Sequence, residues 1–266
     1  MSDRPYTTIL VARCEDLHGP GVLSVTLNRP GKRNAIGPRM VNELLYALGD
    51  AGRDEQVRSV VLTGAGEAFC AGGDLAQLGG ESDEGELPPQ GDYADLLLAM
   101  VRSPKPIVAR VNGHALGGGL GLVAASHFAV GALDAKLGTP EIKVGLFPMM
   151  IMAVLRRVMP HRQMLRMMLL GERMSAEQAV ACGLLGRAVP AAELDQAVAE
   201  VVGAIAKMSP VIVRLGLEAL ADQEDLALAE ALPLLRERLG RCLATDDTRE
   251  GLMAFLKKRE PVWTGR

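Results

Sequence analysis

Two apolar runs that end in glycine-rich loops constrain this chain more than any other feature. Residues 59–63 (SVVLT) read as a buried strand and lead, through Gly64-Ala65-Gly66, to Phe69-Cys70-Ala71-Gly72-Gly73-Asp74-Leu75. Residues 106–111 (PIVARV) read as another short strand and lead to Asn112-Gly113-His114-Ala115-Leu116-Gly117-Gly118-Gly119-Leu120. Each junction carries unhindered backbone N–H groups into a helical stretch. Glycine admits positive φ and close backbone approach, and a helix N-terminus adds unpaired donors and partial positive charge. Two such N–H groups converging on one oxygen make an oxyanion hole. Tight packing alone also selects glycine, so each junction taken singly is weak evidence. Composition follows the same theme: 30 of 266 residues are glycine, about 11% against a usual ~7%.

Around these junctions strands and helices alternate. Residues 7–13 and 22–27 read as strands flanking the turn signal His18-Gly19-Pro20-Gly21. Residues 38–49 read as a helix with Met40, Leu44, Leu45 and Leu48 on one face. Residues 128–130 and 185–189 are further strand candidates. The alternation predicts an α/β layered core. Beyond residue 191 it stops, and residues 193–207, 210–221, 226–243 and 248–258 all read as helical. A boundary at Lys207-Met208-Ser209-Pro210 divides the chain into an α/β core carrying the site (1–207) and a helical region (208–266). Residues 79–91 (GGESDEGELPPQG) are acidic and rich in glycine and proline. They read as a solvated surface loop or as a lid over a site.

Several function classes are excluded or disfavoured. A net charge of −3 and a pI near 5.9 argue against a dedicated nucleic-acid binder. Cys14, Cys70, Cys182 and Cys242, with His18, His114, His127 and His161, show no metal-ligand spacing and no disulfide framework. No metal is expected, His127 reads as structural, and a reducing, cytoplasmic compartment fits. Residues 9–12 are too short for a signal h-region. Residues 115–135 are broken by Ser126, His127, Asp134 and five glycines, so no membrane span is expected. There is no GxxxxGK[ST] loop and no GxSxG elbow. The glycines at 117, 118, 119 and 121 miss GxGxxG because residue 122 is Leu.

A third element is Gly138-Thr139-Pro140-Glu141. A carboxylate after a proline-fixed turn, in an apolar stretch, is a candidate acid/base with a raised pKa. A helix-capping or salt-bridged Glu is the alternative. The three elements, in this order, resemble the crotonase family, also called the enoyl-CoA hydratase/isomerase family. The likeness extends to Asn28-Arg29-Pro30-Gly31-Lys32-Arg33-Asn34-Ala35, to residues 171–179 (GERMSAEQA) and 183–190 (GLLGRAVP), and to the ending over 250–261 (EGLMAFLKKREP).

The resemblance implies a spiral of ββα units followed by a C-terminal all-helical trimerisation region, in a homotrimer or dimer of trimers. It implies an acyl-CoA thioester substrate and no separate cofactor, coenzyme A being part of the substrate. It assigns the oxyanion-hole donors to the Gly73 and Gly118 N–H groups and the acid/base role to Glu141. Substrate- and coenzyme A-binding residues would be Arg29, Lys32 and Arg33, as partners of the coenzyme A phosphates, with Ala35, Ala71, Gly72, Asp74, Leu75, Gly117 and Gly121. Lys258 would reach in from a neighbouring subunit.

Two departures bear on the reaction. Family hydratases usually carry a second glutamate, whose position here is Gly121. The Pro-Gly-x-Gly usual after the retained Glu is here Pro148-Met149-Met150-Ile151. One carboxylate suffices to move a proton between carbons, so double-bond isomerisation is slightly favoured over hydration. Gly121 is expected to leave a gap that enlarges the acyl pocket. Hydration of a branched or bulky 2-enoyl thioester, decarboxylation, thioester hydrolysis and a non-catalytic acyl-CoA-binding scaffold remain open.

Overall fold

The computed structural model describes residues 4–14, 19–74, 76 and 87–266. In chain order the strands are β1 (Ile9–Arg13), β2 (Val22–Leu27), β3 (Ser59–Gly64), β4 (Ala68–Cys70) and β5 (Ile107–Val111), then β6 (His114–Leu116), β7 (Phe128–Ala132), β8 (Lys136–Gly138), β9 (Arg173–Ser175) and β10 (Arg187–Val189). The α-helices are α1 (Pro38–Arg53), α2 (Tyr93–Val101), α3 (Gly118–Ala125), α4 (Met149–Val158) and α5 (His161–Leu170), then α6 (Ala176–Ala181), α7 (Leu194–Ala206), α8 (Pro210–Gln223), α9 (Leu228–Leu243) and α10 (Asp246–Leu256).

The strands expected from the apolar runs form one six-stranded sheet, ordered β1-β2-β3-β5-β7-β10. Only β1 and β2 are antiparallel; every later neighbour pair is parallel. Side chains alternate across the sheet. Val60 and Leu62 join the core beneath α1 and α2, with Met40, Leu44 and Leu96. Val61 faces the opposite core, with Val108, Val130 and, from α7, Val198 and Val202. Burial on both faces is why β3 reads as an unbroken apolar run. Helices α8, α9 and α10 pack against one another, where the strand-free tail was expected. Asp247, fully buried, accepts from the Ser209 hydroxyl, the Thr264 N–H and hydroxyl, and the Gly265 N–H, so the last residues fold back on α10.

A second sheet has no counterpart in the sequence reading. It is ordered β4-β6-β8-β9, and each strand has three residues, too few for a periodic signal. Strands β4, β6 and β8 are parallel, with Cys70 opposite Ala115 and Leu116 opposite Gly138. The Gly117 N–H extends the ladder by donating to the Gly138 carbonyl at 2.9 Å. The C-terminal ends of three strands therefore share one edge. From that edge leave residues 71–74, 117–121 and 139–141, the three elements the sequence singles out.

Two further expectations are refined. Residues 79–86 of the acidic segment lie outside the described residues. Residues 87–90 are held on α1, where Asn42 donates to the Leu87 and Pro88 carbonyls and accepts from the Gln90 N–H. His127 is structural: its Nδ1 accepts from the Ile107 N–H at 3.1 Å, and burial pushes its imidazole down to about 4. Among the described residues no helix is long and apolar enough to cross a membrane.

The loop over residues 28–36 is tied to the small sheet by Asn34. This side chain is fully buried; its Oδ1 accepts from the Arg29 N–H, and its Nδ2 donates to the Ala65, Ala68 and Phe69 carbonyls. Its φ of 57° is the left-handed conformation that Asn tolerates better than most residues. Asn34→Ala leaves these buried carbonyls short of a donor and should lower unfolding stability by about 1–3 kcal/mol. Urea denaturation checks this; an unchanged midpoint would contradict the tethering role.

Candidate active site

At the shared edge, glycine is required by geometry at two positions. Gly72 has φ 106°, and a Cβ there would lie 3.6 Å from the Gly118 nitrogen, so the two junctions touch. Gly117 has φ 51°, and a Cβ there would lie 2.6 Å from Glu141 Oε1. The missing side chain lets the carboxylate lie against the second junction.

The backbone donors are set by neighbouring pairing. Ile36 and Gly73 form an isolated parallel bridge, in which the Ile36 N–H donates to the Gly72 carbonyl and the Asp74 N–H to the Ile36 carbonyl, both at 2.8 Å. The Gly73 N–H is thereby left on the opposite side of the chain. Gly118 opens α3, so its N–H has no intrahelical acceptor. Gly73 and Gly118 both line one cavity of about 410 Å³. Neither N–H has a hydrogen-bond partner among the described residues.

Three carboxylates line the same cavity: Asp74, Asp92 and Glu141. Asp74 is paired with Arg29 at 2.9 Å and Lys32 at 3.4 Å. Burial alone would push its carboxyl up, but hydrogen bonds from those two cations outweigh burial and hold it below its usual value. Asp92 caps α2, accepting from the Ala94 and Asp95 N–H groups. Glu141 stands in the single turn Pro140–Val144, and its Oε2 is buried without a hydrogen-bond partner. Desolvation pushes its pKa above the ordinary carboxylate value. A half-buried carboxylate with one oxygen unpartnered costs stability, unlike a helix cap or an ion pair.

The rest of the wall is apolar. Ile36 and Val41 face Leu146, Phe147, Met149 and Met150 across it. The Pro148-Met149-Met150-Ile151 departure thus builds this wall, since Pro148 caps α4 and the next residues open it. Cys70 is fully buried behind Gly119, and burial pushes its thiol up to about 12, so it is no nucleophile.

The other expected positions divide. Gly72 and Gly117 shape the edge, and Asp74 lines the cavity. Arg29 requires correction as a phosphate ligand: its guanidinium is mostly buried and bridges Asp74 and the Ala35 carbonyl. Ala35 and Ala71 hold loops together, the Ala71 N–H donating to the Arg33 carbonyl at 2.9 Å. Lys32 and Arg33 are exposed beside the cavity loop. Lys258, two residues beyond α10, has a left-handed φ of 51° and does not line the cavity of its own chain. Leu75 lies outside the described residues.

Gly121 also requires correction: it leaves no gap. A Cβ there would overlap the Tyr93 hydroxyl and Ile151, which fill the place. Tyr93 is the residue the sequence reading misses. Its one local signal is Asp92 three residues before Asp95, a capping box ahead of the apolar run in α2.

A family model described as enoyl-CoA hydratase/isomerase matches residues 18–266. Carnitinyl-CoA dehydratase of Escherichia coli strain K12 is 34% identical, the match covering 95% of this chain and 99% of that protein. Enoyl-CoA hydratase domain-containing protein 3, mitochondrial, of Homo sapiens is 31% identical over 92% of this chain and 81% of its own length. Among solved structures, the enoyl-CoA hydratase from Bacillus anthracis superposes with a TM-score of 0.88 at 30% identity, covering 98% of this chain and all of that one.

The burial of Glu141 has a pH consequence. A carboxyl whose folded-state pKa is raised favours the native state below its ordinary pKa and loses that contribution as pH rises through the folded value. Glu141→Gln should therefore raise Tm relative to wild type at neutral pH, with the gain vanishing below about pH 4. Thermal denaturation across pH checks this; a Tm difference independent of pH would contradict the desolvated state of Glu141.

Proposed function

The chain belongs to the enoyl-CoA hydratase/isomerase family and is an enzyme acting on acyl-CoA, and from this premise we propose that it shifts a double bond in an enoyl-CoA thioester using Glu141 as its single acid/base. The observation that carries the reading is the state of the three cavity carboxylates. Asp74 is ion-paired, Asp92 caps a helix, and Glu141 alone has an unpartnered buried oxygen.

The reaction follows from the placement of the groups. The thioester oxygen accepts from the Gly73 and Gly118 N–H groups. Glu141 removes a proton from C2 of a 3-enoyl thioester, breaking the C2–H bond. The electron pair moves into a dienolate whose oxygen charge the two N–H groups and the start of α3 stabilise. The same carboxyl returns the proton to C4, forming the C4–H bond and leaving the double bond between C2 and C3. No water is consumed. The raised pKa of Glu141 brings the carboxylate nearer in basicity to the carbon acid it deprotonates. The apolar wall of Leu146, Phe147, Met149 and Met150 suits an aliphatic acyl chain. Exposed Arg33, together with Lys32, which is half-exposed and reaches Asp74 only at 3.4 Å, would meet the coenzyme A phosphates, while Arg29 is mostly buried against Asp74.

Hydration of a 2-enoyl thioester is the second reading, favoured by the hydratase and dehydratase names of relatives. The helical tail supports self-association as a homotrimer or dimer of trimers. Leu228, Leu232, Leu239, Phe255 and Leu256 on α9 and α10 are exposed in the single chain, an apolar surface of the kind that partners cover.

The test supplies 3-enoyl-CoA and 2-enoyl-CoA separately and follows the absorbance of the conjugated thioester. The expected result is faster gain from the 3-enoyl substrate than loss from the 2-enoyl one. Glu141→Gln should lower the rate about 10²–10⁴-fold with the fold intact. Rapid loss of absorbance from 2-enoyl-CoA alone would favour hydration, and an active Glu141→Gln variant would move the chemistry elsewhere.

A further inference from the structure

We propose that Tyr93 is a positioning residue of this site, whose hydroxyl takes the place a side chain at position 121 would occupy and anchors the Gly118 carbonyl, so that Glu141 stays the one unpaired carboxylate of the pocket. The inference rests on the thioester chemistry proposed for the same site and adds the residue that enforces its one-carboxylate character.

Three observations meet on this side chain. Tyr93 is the first residue of α2, fixed there by the reciprocal capping box of Asp92 and Asp95. Its hydroxyl donates to the Gly118 carbonyl, which belongs to the same residue as the proposed oxyanion donor. A Cβ at Gly121 would overlap that hydroxyl, and a Cβ at Gly118 would lie 3.5 Å from it. The ring thus touches both glycines on the face of α3 turned toward the cavity that Tyr93 and Gly118 line.

The chemistry of the phenol follows. Its one proton is engaged with the Gly118 carbonyl, so it is not offered to substrate. Burial, with the nearby Cys70 and Glu141, pushes its pKa well above the ordinary value, so it does not ionise to act as a base at neutral pH. What it does is mechanical and electrostatic. Anchoring the Gly118 carbonyl restrains ψ of Gly118 and with it the first turn of α3, whose N–H groups face the thioester. A carboxylate-bearing side chain at position 121 and Tyr93 in this rotamer exclude one another.

The experiment measures kcat and KM for 3-enoyl-CoA in wild type, Tyr93→Phe, Gly121→Ala and the double variant. Tyr93→Phe keeps the ring and removes the anchor, and should lower kcat about threefold to tenfold with KM within about twofold. Gly121→Ala in the wild-type background displaces the hydroxyl and should lower kcat similarly. In the Tyr93→Phe background it should cost less, because the oxygen it would overlap is gone; overlap with Ile151 is common to both backgrounds, so the difference reports the hydroxyl. Wild-type kcat in Tyr93→Phe, or an equal cost of Gly121→Ala in both backgrounds, overturns the inference while leaving the thioester reading standing. If Tyr93→Phe does not fold, as judged by circular dichroism, Gly121→Ala is measured in an Ile151→Ala background, which removes the other overlap: a loss in kcat relative to Ile151→Ala supports the proposal, and an unchanged kcat overturns it. A wild-type enzyme inactive on both enoyl thioesters overturns the thioester reading and the inference with it.

Discussion

The site depends on the parallel register of three very short strands. Cys70 sits opposite Ala115, Leu116 sits opposite Gly138, and the Gly117 N–H continues the ladder to the Gly138 carbonyl. Parallel pairing brings like ends of strands together, so segments far apart in sequence leave the sheet at one edge and in one direction. A shift of one residue in either pairing would turn side chains to the opposite face and separate Glu141 from the glycine junctions. The larger sheet supplies the rigidity, because its strands are covered on both faces by apolar cores. The small sheet supplies the placement.

Glycine and carboxylate chemistry then act as a pair. Gly117 lacks the side chain that would push Glu141 away, and Gly72 lacks the one that would keep the two junctions apart. Oε1 of Glu141 lies against Gly117, while Oε2 is buried with no hydrogen-bond partner among the described residues. The protein bears the cost of a raised pKa at that position, while every other cavity carboxylate is neutralised or capped. The polarity of the pocket is thereby concentrated between one carboxyl and two backbone N–H groups, against an apolar wall where electrostatic interactions are strong.

Much of this was legible in the chain. The long strands of the large sheet announce themselves as apolar runs, α1 by its one-sided apolar face, and the tail by the absence of strand patterns. Gly73, Gly118 and Glu141 stand out because three elements, each weak alone, occur in the order that resembles the family. The sequence does not reveal what three-residue strands do, because a period cannot be read from three residues. It does not reveal that Arg29 is engaged, because Asp74 is 45 residues away along the chain. Gly121 misleads for the same reason: a missing side chain looks like a gap until the neighbour that fills it is known.

By itself, then, the sequence determined the α/β class, the family, the order of the elements and the residue types able to carry the chemistry, since these are written in local composition, spacing and propensity. Tertiary structure alone decided which carboxylate is free, which cation is already paired and what occupies the space above Gly121. Those are questions of which side chain meets which across long stretches of chain. Tyr93 and Gly121 share no sequence period, and only the packing of α2 against α3 brings a hydroxyl to the place where a second carboxylate would stand.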